Sequence, residues 1–252
     1  MTQLMGATPA TISPIGTPVV DLADVTFAYP NGHEALRGIT LSIHQGEKVA
    51  LLGPNGAGKS TLLLHLNGMY FPASGRVQIA GITVDRKTVK QVRAFVGLVF
   101  QDPDDQLFSP TVFEDVAFGP LYMGLPEAEI RERVAQALEL VGLRGFEDRA
   151  PYHLSIGQRK RAALATVLSM DPRILVLDEP SAGLDPRGRR ELIRLLDGLP
   201  HTLIASTHDM RLAAELFPRS VILDEGQVVA DGPTELILAD EALLEAHGLE
   251  RP

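Results

Sequence analysis

The sequence predicts an α/β fold in which a parallel sheet carries ligand-binding side chains at its strand ends. Short apolar runs recur along the chain with helical patterns between them, which is typical of buried parallel strands and their crossover helices. These runs end in polar or glycine-rich sequence, and strand ends are where open α/β sheets bind ligands. The predicted central strands are residues 48–52, 96–100, 174–177 and 202–206.

Composition narrows the class of protein. At 252 residues with 45% hydrophobic side chains, the chain is long enough to form a substantial core. It contains no cysteine, which excludes disulfides, thiolate metal sites and cysteine nucleophiles. Its formal net charge of −9 disfavours a general nucleic-acid-binding surface. We therefore expect no nucleic-acid partner.

The sequence pattern gives no membrane or export signal. No uninterrupted apolar run approaches the roughly 18 residues that a spanning helix needs. The start of the chain lacks the basic stretch and apolar core of a signal peptide. We expect a chain of cytoplasmic type that reaches a membrane only through a partner. Residues 1–18 are rich in Thr, Pro, Ala and Gly without periodicity, and we interpret them as a disordered tail.

A glycine-rich loop follows the first predicted central strand and opens a helix. It matches the pattern G-x-x-x-x-G-K-[ST], in which glycines let backbone N–H groups wrap an anion at a helix N-terminus. Lys59 is expected to reach the β and γ phosphates of a nucleotide, and Ser60 to place its hydroxyl on Mg²⁺. The alternative is a glycine-rich turn with a surface lysine, which the flanking strand and helix disfavour. The predicted nucleotide-binding residues here are Gly53, Pro54, Asn55, Gly56, Ala57, Gly58, Lys59, Ser60 and Thr61.

A small β-rich layer is predicted to flank the nucleotide-binding strand. Residues 19–27 and 36–43 alternate between apolar and polar, as half-exposed strands do. Residues 75–79 and 82–84 predict a hairpin, and a short helix is predicted at about 87–94. Tyr29 closes the first of these strands, where an aromatic ring either fills the turn or stacks on adenine.

The segment 112–143 is predicted to be largely helical, as an insertion between two central strands. Apolar residues recur at helical spacing along 130–141. Glycine and proline predict helix breaks at Gly119-Pro120 and again at residues 124–126. A further helix is predicted at about 158–169, with Arg159, Lys160 and Arg161 forming a solvated basic face.

Polar side chains end three of the central strands. Gln101 follows the strand at 96–100, where it is either loop polarity or a ligand contact. Asp178 and Glu179 follow the strand at 174–177, and burying two carboxylates is costly unless they meet a metal or partner. Asp178 therefore suits a Mg²⁺ ligand and Glu179 a base that polarises water, the alternative being a solvated turn. His208 is either a satisfied polar residue or a γ-phosphate contact.

The remaining segments complete the predicted core. Asp185 is expected to cap a helix that has Pro186 at its first position. Residues 221–223 and 228–230 predict a hairpin, and two short helices are predicted at about 234–238 and 241–247.

Taken together, these residues resemble the nucleotide-binding subunit of the ATP-binding cassette (ABC) family. The signature segment (residues 154–158, Leu-Ser-Ile-Gly-Gln) precedes a helix and matches the family's own motif. Its order relative to Asp178-Glu179, Asp185 and His208 is also the family's order. The resemblance covers about residues 19–232. It implies a P-loop NTPase domain there, with a RecA-like parallel-sheet core, an antiparallel β subdomain and a helical subdomain at about 110–170. A short helical tail would follow at 233–252.

The resemblance also implies roles for matching positions. The implied cofactors are ATP and Mg²⁺, and two copies of the domain share each ATP site. Ile156 stands where the family usually has a glycine, and a β-branched residue would strain a backbone that needs glycine's freedom. The resemblance implies that Tyr29 stacks on adenine and that Glu179 is the general base, with His208, Gln101 and Lys59 as the other catalytic residues. It implies that Mg²⁺ is contacted by Ser60, Gln101 and Asp178, and that Asp185 lies at the dimer interface. The ATP held by the other subunit would be contacted by Ser155, Gly157 and Gln158.

A narrower resemblance lies in residues 100–120. The stretch from Phe100 to Val112 (F-Q-D-P-D-D-Q-L-F-S-P-T-V), followed by E-D-V-A-F-G-P, is similar to the ATPase of energy-coupling-factor (ECF) importers, especially the cobalt/nickel type. That similarity implies a homodimer at the cytoplasmic face of the cell membrane. It would power uptake of cobalt or nickel through a transmembrane coupling protein and a metal-specific membrane subunit. The acidic loop (residues 102–105) and the following helix would form the docking groove.

Three alternatives remain open at this point. The chain could be an ECF ATPase for a vitamin, a soluble ABC ATPase that acts on nucleic acid or the ribosome, or an ATP-binding scaffold that imports nothing. Proteins of the second class commonly carry two cassettes or long insertions, and this chain has one glycine-rich loop and one signature segment.

Overall fold

The computed structural model describes residues 16–250, which form two sheets with helices packed around them. The interpretation of residues 1–18 as a disordered tail falls almost entirely outside that range. The strands are β1 (Val20–Ala28), β2 (Glu34–Ile43), β3 (Lys48–Leu52), β4 (Ser74–Ile79), β5 (Ile82–Thr83), β6 (Val96–Val99), β7 (Ile174–Asp178), β8 (Thr202–Ser206), β9 (Arg219–Asp224) and β10 (Gln227–Pro233). The helices are α1 (Lys59–Leu66), α2 (Val89–Phe95), α3 (Val112–Tyr122), α4 (Glu127–Leu140), α5 (Ile156–Leu168), α6 (Pro186–Asp197), α7 (Met210–Leu216), α8 (Thr234–Ala239) and α9 (Glu241–Ala246).

The larger sheet is parallel except at one edge. Its strand order is β10-β9-β3-β8-β7-β6, and only β10 pairs antiparallel, as a hairpin with β9. The four predicted central strands and the predicted C-terminal hairpin are thereby confirmed. The register places Ser206 of β8 beside Asp178 of β7 and, on its other side, beside Leu51 of β3. Because the strands are parallel, their carboxyl ends meet at one edge, and the predicted site residues follow those ends.

The smaller sheet is antiparallel, in the order β2-β1-β4-β5. Its apolar face packs on the larger sheet, so that Leu22 and Ile79 share a buried cluster with Leu51 of β3 and Leu62 of α1. This sheet is the predicted β-rich layer, and it lies beside the strand and helix that flank the glycine-rich loop.

One predicted helix break does not occur. Helix α3 runs through Gly119 and Pro120 without interruption and ends at Tyr122, whereas the second predicted break, before α4, is present. Proline has no N–H to give to the carbonyl four residues back. That carbonyl, of Val116, instead accepts a hydrogen bond of 2.8 Å from the Ser169 hydroxyl. The Ser169 hydroxyl therefore replaces the helical hydrogen bond whose loss was expected to end the helix.

The helix that follows the signature segment begins earlier than predicted. Ser155 is its N-cap and Ile156 its first residue, so Ile156 has a helical backbone and is not among the described residues with positive φ. The strain expected at Ile156 does not arise, because the first turn of a right-handed helix requires none of glycine's extra freedom.

The last two helices pack on the larger sheet. Leu238, Leu244 and Leu249 are buried in the same apolar cluster as Ile222 of β9. Among residues 16–250, no helix is long and apolar enough to cross a membrane.

Candidate active site

A single cleft at the carboxyl edge of the larger sheet gathers most of the predicted site residues. The smaller sheet supplies Tyr29, the glycine-rich loop forms the floor, and three strand ends supply the opposite wall. The lining consists of Tyr29, His33, Ala35, Asn55, Gly56, Ala57, Gly58, Lys59, Ser60, Thr61, Gln101, Glu179 and His208.

The backbone of the glycine-rich loop requires glycine at Gly53 and Gly58, both because of a positive φ and because a side chain would clash. Gly53 and Gly58 have φ of +145° and +101°, values that side-chain-bearing residues rarely adopt. A Cβ on Gly58 would lie 2.5 Å from the carbonyl oxygen of Ala35, and a Cβ on Gly53 would meet the carbonyl of Leu223. Gly58 is also the N-cap residue of α1. The loop is thus wedged against neighbouring backbone, with the helix N-terminus facing the cleft.

The Lys59 side chain is hydrogen-bonded to the backbone of the glycine-rich loop. Its Nζ donates hydrogen bonds to the carbonyls of Gly53 at 2.6 Å and Pro54 at 3.0 Å. Burial lowers the pKa of Lys59, while the nearby Glu179 and Asp178 carboxylates raise it. An ammonium group surrounded by backbone carbonyls and two carboxylates is well placed to exchange those partners for phosphate oxygens.

Ser60 and Asp178 form a small set of oxygen donors beside the loop. The Ser60 hydroxyl donates to Asp178 Oδ1 at 3.1 Å, and the Ser206 hydroxyl donates to the same oxygen. Mg²⁺ prefers oxygen ligands and is usually held by one or two protein groups together with phosphates and water. A serine hydroxyl and a carboxylate at this distance therefore fit Mg²⁺ beside a bound nucleotide.

Glu179 has an unusual backbone and a buried side chain. Its φ of +43° lies in the left-handed region, and such conformations persist where the surroundings fix them. Its N–H donates to both the carbonyl and the hydroxyl of Ser206, each at 3.1 Å. Its carboxylate Oε2 lies 2.8 Å from Nδ1 of His208 and 3.3 Å from the His208 backbone N–H. The carboxylate is therefore aimed along the strand ends, toward the cleft.

Tyr29 is held at the edge of the cleft by its hydroxyl. The phenol oxygen lies 2.8 Å from the Thr61 hydroxyl, and the ring packs edge-on against Phe27. The His33 ring lies parallel to it, with 6.3 Å between ring centroids. The edge that Tyr29 forms is aromatic, as a base-stacking surface requires.

The signature segment lies outside this cleft. Ser155 and Gln158 form a reciprocal capping box at the start of α5, in which Gln158 N–H donates to the Ser155 hydroxyl and Ser155 N–H to the Gln158 side chain. Gly157 packs near Leu184 in the turn before α6. Asp185 caps α6 as predicted, accepting from Gly188 N–H at 2.6 Å. None of these residues lines the cleft described above.

Two contributors to the site were missed or misinterpreted from sequence. Lys160 is only 8% exposed, so the prediction of a solvated basic face was wrong at its central residue. Its Nζ donates to the carbonyls of Gln101 at 2.8 Å and Glu179 at 3.4 Å. Helical spacing could have revealed this, because Lys160 shares the face of Ala163, Leu164 and Val167, all buried. Ser206, which orients Asp178 and Glu179, closes a predicted strand and carried no motif.

These features define a nucleoside-triphosphate-binding site of the P-loop class. A strand, a glycine-rich loop and a helix N-terminus form a cradle suited to phosphates, and the carboxylates of Asp178 and Glu179 at the end of β7 lie close to Lys59 of that loop. The family model of the ABC transporter matches residues 36–182.

Relatives and solved structures narrow the class further. The chain is 50% identical to the "Energy-coupling factor transporter ATP-binding protein EcfA" of Carboxydothermus hydrogenoformans, over 92% of this chain and 87% of that protein. The structure of cbiO1 from Clostridium perfringens, described as part of the ABC transporter complex cbiONQ, superposes with a TM-score of 0.81 at 40% identity, covering 91% of this chain and 94% of that chain. A dimeric post-hydrolysis structure of the ATP-binding cassette MJ0796, bound to ADP and Pi, superposes with a TM-score of 0.77 at 30% identity, covering 85% and 98%. This chain belongs to the ABC transporter ATPase family, and its fold class is confirmed.

Proposed function

We propose that this chain is the ATP-hydrolysing subunit of an ECF-type importer that takes up a divalent transition metal, cobalt or nickel. The similarity to an energy-coupling-factor ATP-binding protein over nearly the whole chain supports the importer type. The resemblance of residues 100–120 to the cobalt/nickel type supports the assignment of cobalt or nickel as the substrate. The similarity to a member of the cbiONQ complex agrees with that assignment. The subunit would act at the cytoplasmic face of the cell membrane, held there by its membrane partners.

Each wall of the cleft has a task in this proposal. Tyr29 stacks on adenine, and the loop residues 53–61 bind the phosphates, with Lys59 exchanging two loop carbonyls for phosphate oxygens. Ser60, Asp178 and Gln101 would hold Mg²⁺, which would neutralise charge on the phosphate oxygens.

Glu179 and His208 handle the attacking water. Glu179 takes the proton as the water attacks the γ-phosphorus and the bond from that phosphorus to the β–γ bridging oxygen breaks, which releases ADP and phosphate. Glu179 suits this role because its carboxylate is buried at the cleft wall and fixed at both backbone and side chain. His208 holds that carboxylate through Nδ1, and its exposed ring extends into the cleft to contact the γ-phosphate.

The active unit is a dimer. Ser155, Gly157 and Gln158 would bind phosphate by the family pattern, yet they lie away from the chain's own loop. A second copy placing its signature segment over this cleft completes both sites at once, as symmetric pairing requires. The dimeric form of MJ0796, a 30% identical cassette, supports this arrangement.

Complementation tests the shared site. Lys59→Ala removes the lysine from one chain and Gly157→Asp puts a negative charge beside phosphate in the other. Each homodimer should lose turnover, whereas mixed dimers isolated with two affinity tags should recover it, because one site then has both halves intact. Mixed dimers as inactive as the parents would refute the shared site.

An exposed apolar patch next to the acidic loop supports a membrane partner. Phe108, Phe118, Leu121 and Tyr122 (the aromatic patch) are all solvent-exposed, and the Phe108 and Phe118 rings pack edge to face at 5.2 Å. Buried Asp115 fixes the loop that presents Phe108 by accepting the N–H groups of Phe108 and Ser109. An exposed apolar patch of this kind is typical of an interaction site. We propose that a helix of the transmembrane coupling protein binds there.

Uptake by the assembled complex tests the whole proposal. Cells expressing this chain with its neighbouring membrane subunits should accumulate radiolabelled cobalt or nickel, and Lys59→Ala should abolish the accumulation. Phe118→Ser should release the chain from membranes, whereas Leu236→Ser, a 66% exposed apolar residue on α8, should not. Uptake of a vitamin in place of either metal would refute the assignment of cobalt or nickel as the substrate. A chain that stays soluble beside those partners would refute the importer.

A further inference from the structure

Lys160 is a buried cation whose hydrogen bonds go to backbone. Its side chain lies on α5, and its Nζ reaches the carbonyls that follow the ends of β6 and β7, those of Gln101 and Glu179. Burying an ammonium group costs free energy that a packed apolar side chain would not. The two carbonyls offset part of that cost. Burial lowers the pKa of Lys160, and the nearby carboxylates of Asp102, Glu179 and Asp178 counter this only in part.

The segment after β6 is fastened to α5 at several points. The Gln106 amide donates to the Ala163 carbonyl at 2.8 Å and to the Thr166 hydroxyl at 2.7 Å, and its oxygen accepts from Phe100 N–H. Arg159 pairs with Asp104 at 3.5 Å. Residues 100–106 and α5 therefore form one connected body.

Lys160 extends that body to the catalytic strand end. Among the hydrogen bonds just described, only those of Lys160 join α5 to Glu179 as well as to Gln101. The Glu179 backbone is in a left-handed conformation, so its geometry depends on such contacts. Its carbonyl also accepts from Ala182 N–H at 3.1 Å, in the turn that leads to Asp185.

If the site is shared, the first turns of α5 are connected to two different ATP molecules. Ser155 and Gly157 begin α5 and face the partner's nucleotide, whereas Gln101 and Glu179 face the chain's own. Lys160 lies about one and a half turns from Ser155 on the same helix. The Lys160 ammonium therefore connects the helix that begins at the signature segment to the Glu179 backbone.

We propose that Lys160 is a positioning residue that couples the two ATP sites of the dimer, by tying helix α5 to the backbone of Gln101 and Glu179. The inference rests on the shared site of the proposed function. It predicts that the charge and reach of Lys160 affect turnover and not the binding of ATP.

The test compares Lys160→Met, which keeps the length of the side chain, with Lys160→Arg, which keeps the charge. The matched control is Lys48→Met at the opposite edge of the sheet, where Lys48 Nζ donates to the Asp197 carbonyl at 2.9 Å and its carboxylate at 2.8 Å. We expect Lys160→Met to lower kcat by about tenfold or more, with the Kd for ATP within about twofold. Lys160→Arg should restore most of kcat, and Lys48→Met should leave it unchanged. If Lys160→Met does not fold, Lys160→Gln takes its place, since a glutamine can donate to one carbonyl but not span both.

Mixed dimers test whether Lys160 acts on the Glu179 of its own chain, and the cooperativity of turnover with ATP concentration tests the coupling itself. Lys160→Met should lower the Hill coefficient below the parental value, whereas a purely local effect on Glu179 would lower kcat and leave the Hill coefficient unchanged. In the mixed dimers, one protomer carries Glu179→Gln, so only its partner hydrolyses ATP. Lys160→Met in the hydrolysing protomer should lower turnover at least about fivefold more than Lys160→Met in the other. Equal losses in both placements, or a parental kcat in the Lys160→Met homodimer, would overturn the inference. Failure of the Glu179→Gln chain to dimerise with ATP would instead overturn the shared site.

Discussion

Replacement of Glu179 by glutamine is the most direct test of the proposed chemistry. The change keeps the shape of the side chain and an oxygen that can face His208, and removes only the charge and basicity. General base catalysis contributes about 10² to 10⁴ in rate, which corresponds to about 3 to 5 kcal/mol of transition-state stabilisation. We therefore expect kcat to fall by a factor in that range.

The fold and the nucleotide site should tolerate the same change. Glu179 N–H still donates to Ser206, and the weakened contact with His208 should cost at most about 1 kcal/mol, since that ring is 65% exposed and screened. Glu179 is not part of the glycine-rich loop, which is the segment proposed to bind the phosphates. ATP binding should be retained, and a dimer should accumulate because hydrolysis no longer reopens it.

Three measurements check this prediction together. Phosphate release gives kcat, fluorescence titration gives the Kd for ATP, and size-exclusion chromatography with ATP and Mg²⁺ reports the dimer. Glu47→Gln is the control, because Glu47 is a partly buried carboxylate near the start of β3 that pairs with Arg219 at 2.8 Å. Turnover within about tenfold of the parent would remove Glu179 from the role of base. Loss of ATP binding would mean that Glu179 holds the site together.

Three further predictions concern the loop, helix α3 and acid stability. Gly58→Ala should abolish ATP binding and lower the melting temperature, because its Cβ would clash with the Ala35 carbonyl. Gly56→Ala should lower the melting temperature less, because its Cβ would meet nothing within 4 Å and the change costs only the roughly 1–3 kcal/mol of a left-handed backbone. Ser169→Ala should cost about 1–3 kcal/mol of unfolding free energy, and less in a Pro120→Ala background that restores the helical hydrogen bond; denaturant melts of the double-mutant cycle decide this. Burial lowers the pKa of His65 below 6.5, so the unfolded state binds the proton first and stability falls as pH drops below about 6.5. His65→Asn should flatten that acid limb of the melting curve, and an unchanged slope would contradict the assignment.

The strand ends were predictable because burial on both faces of a parallel sheet leaves a continuous apolar run in the sequence. The runs at β3, β6, β7 and β8 end where polar chemistry begins, and the structure brings Lys59, Gln101, Glu179 and His208 into one cleft. The order of the strands was not predictable, since nothing local specifies that β3 lies between β8 and β9. Long-range pairing alone decides it.

The wrong predictions share one physical cause. Gly119-Pro120 was expected to end a helix, Ile156 to be strained if its backbone needed glycine's freedom, and Lys160 to face solvent. Each expectation followed local propensity, and in each case the outcome depends on structure beyond the residue itself. Ser169 satisfies the carbonyl that Pro120 leaves free, the helical turn begins at Ile156, and two strand-end carbonyls receive Lys160. Tertiary context overrides propensity at such positions.

The glycine-rich loop and the signature segment are separated both in sequence and in space, and that separation carries the functional argument. Lys59, the strand-end residues and Tyr29 line one cleft, yet Ser155 and Gly157 begin a helix that does not line the same cleft. In the proposed dimer, a second copy would supply that missing wall. Hydrolysis then depends on how α5 sits against its own core, and the atoms that fix this are the Lys160 ammonium and the carbonyls of Gln101 and Glu179. The segment that Lys160 binds at Gln101 continues to Phe108 in the aromatic patch, so a membrane partner that docked there, as we propose, would contact the segment that is tied to α5.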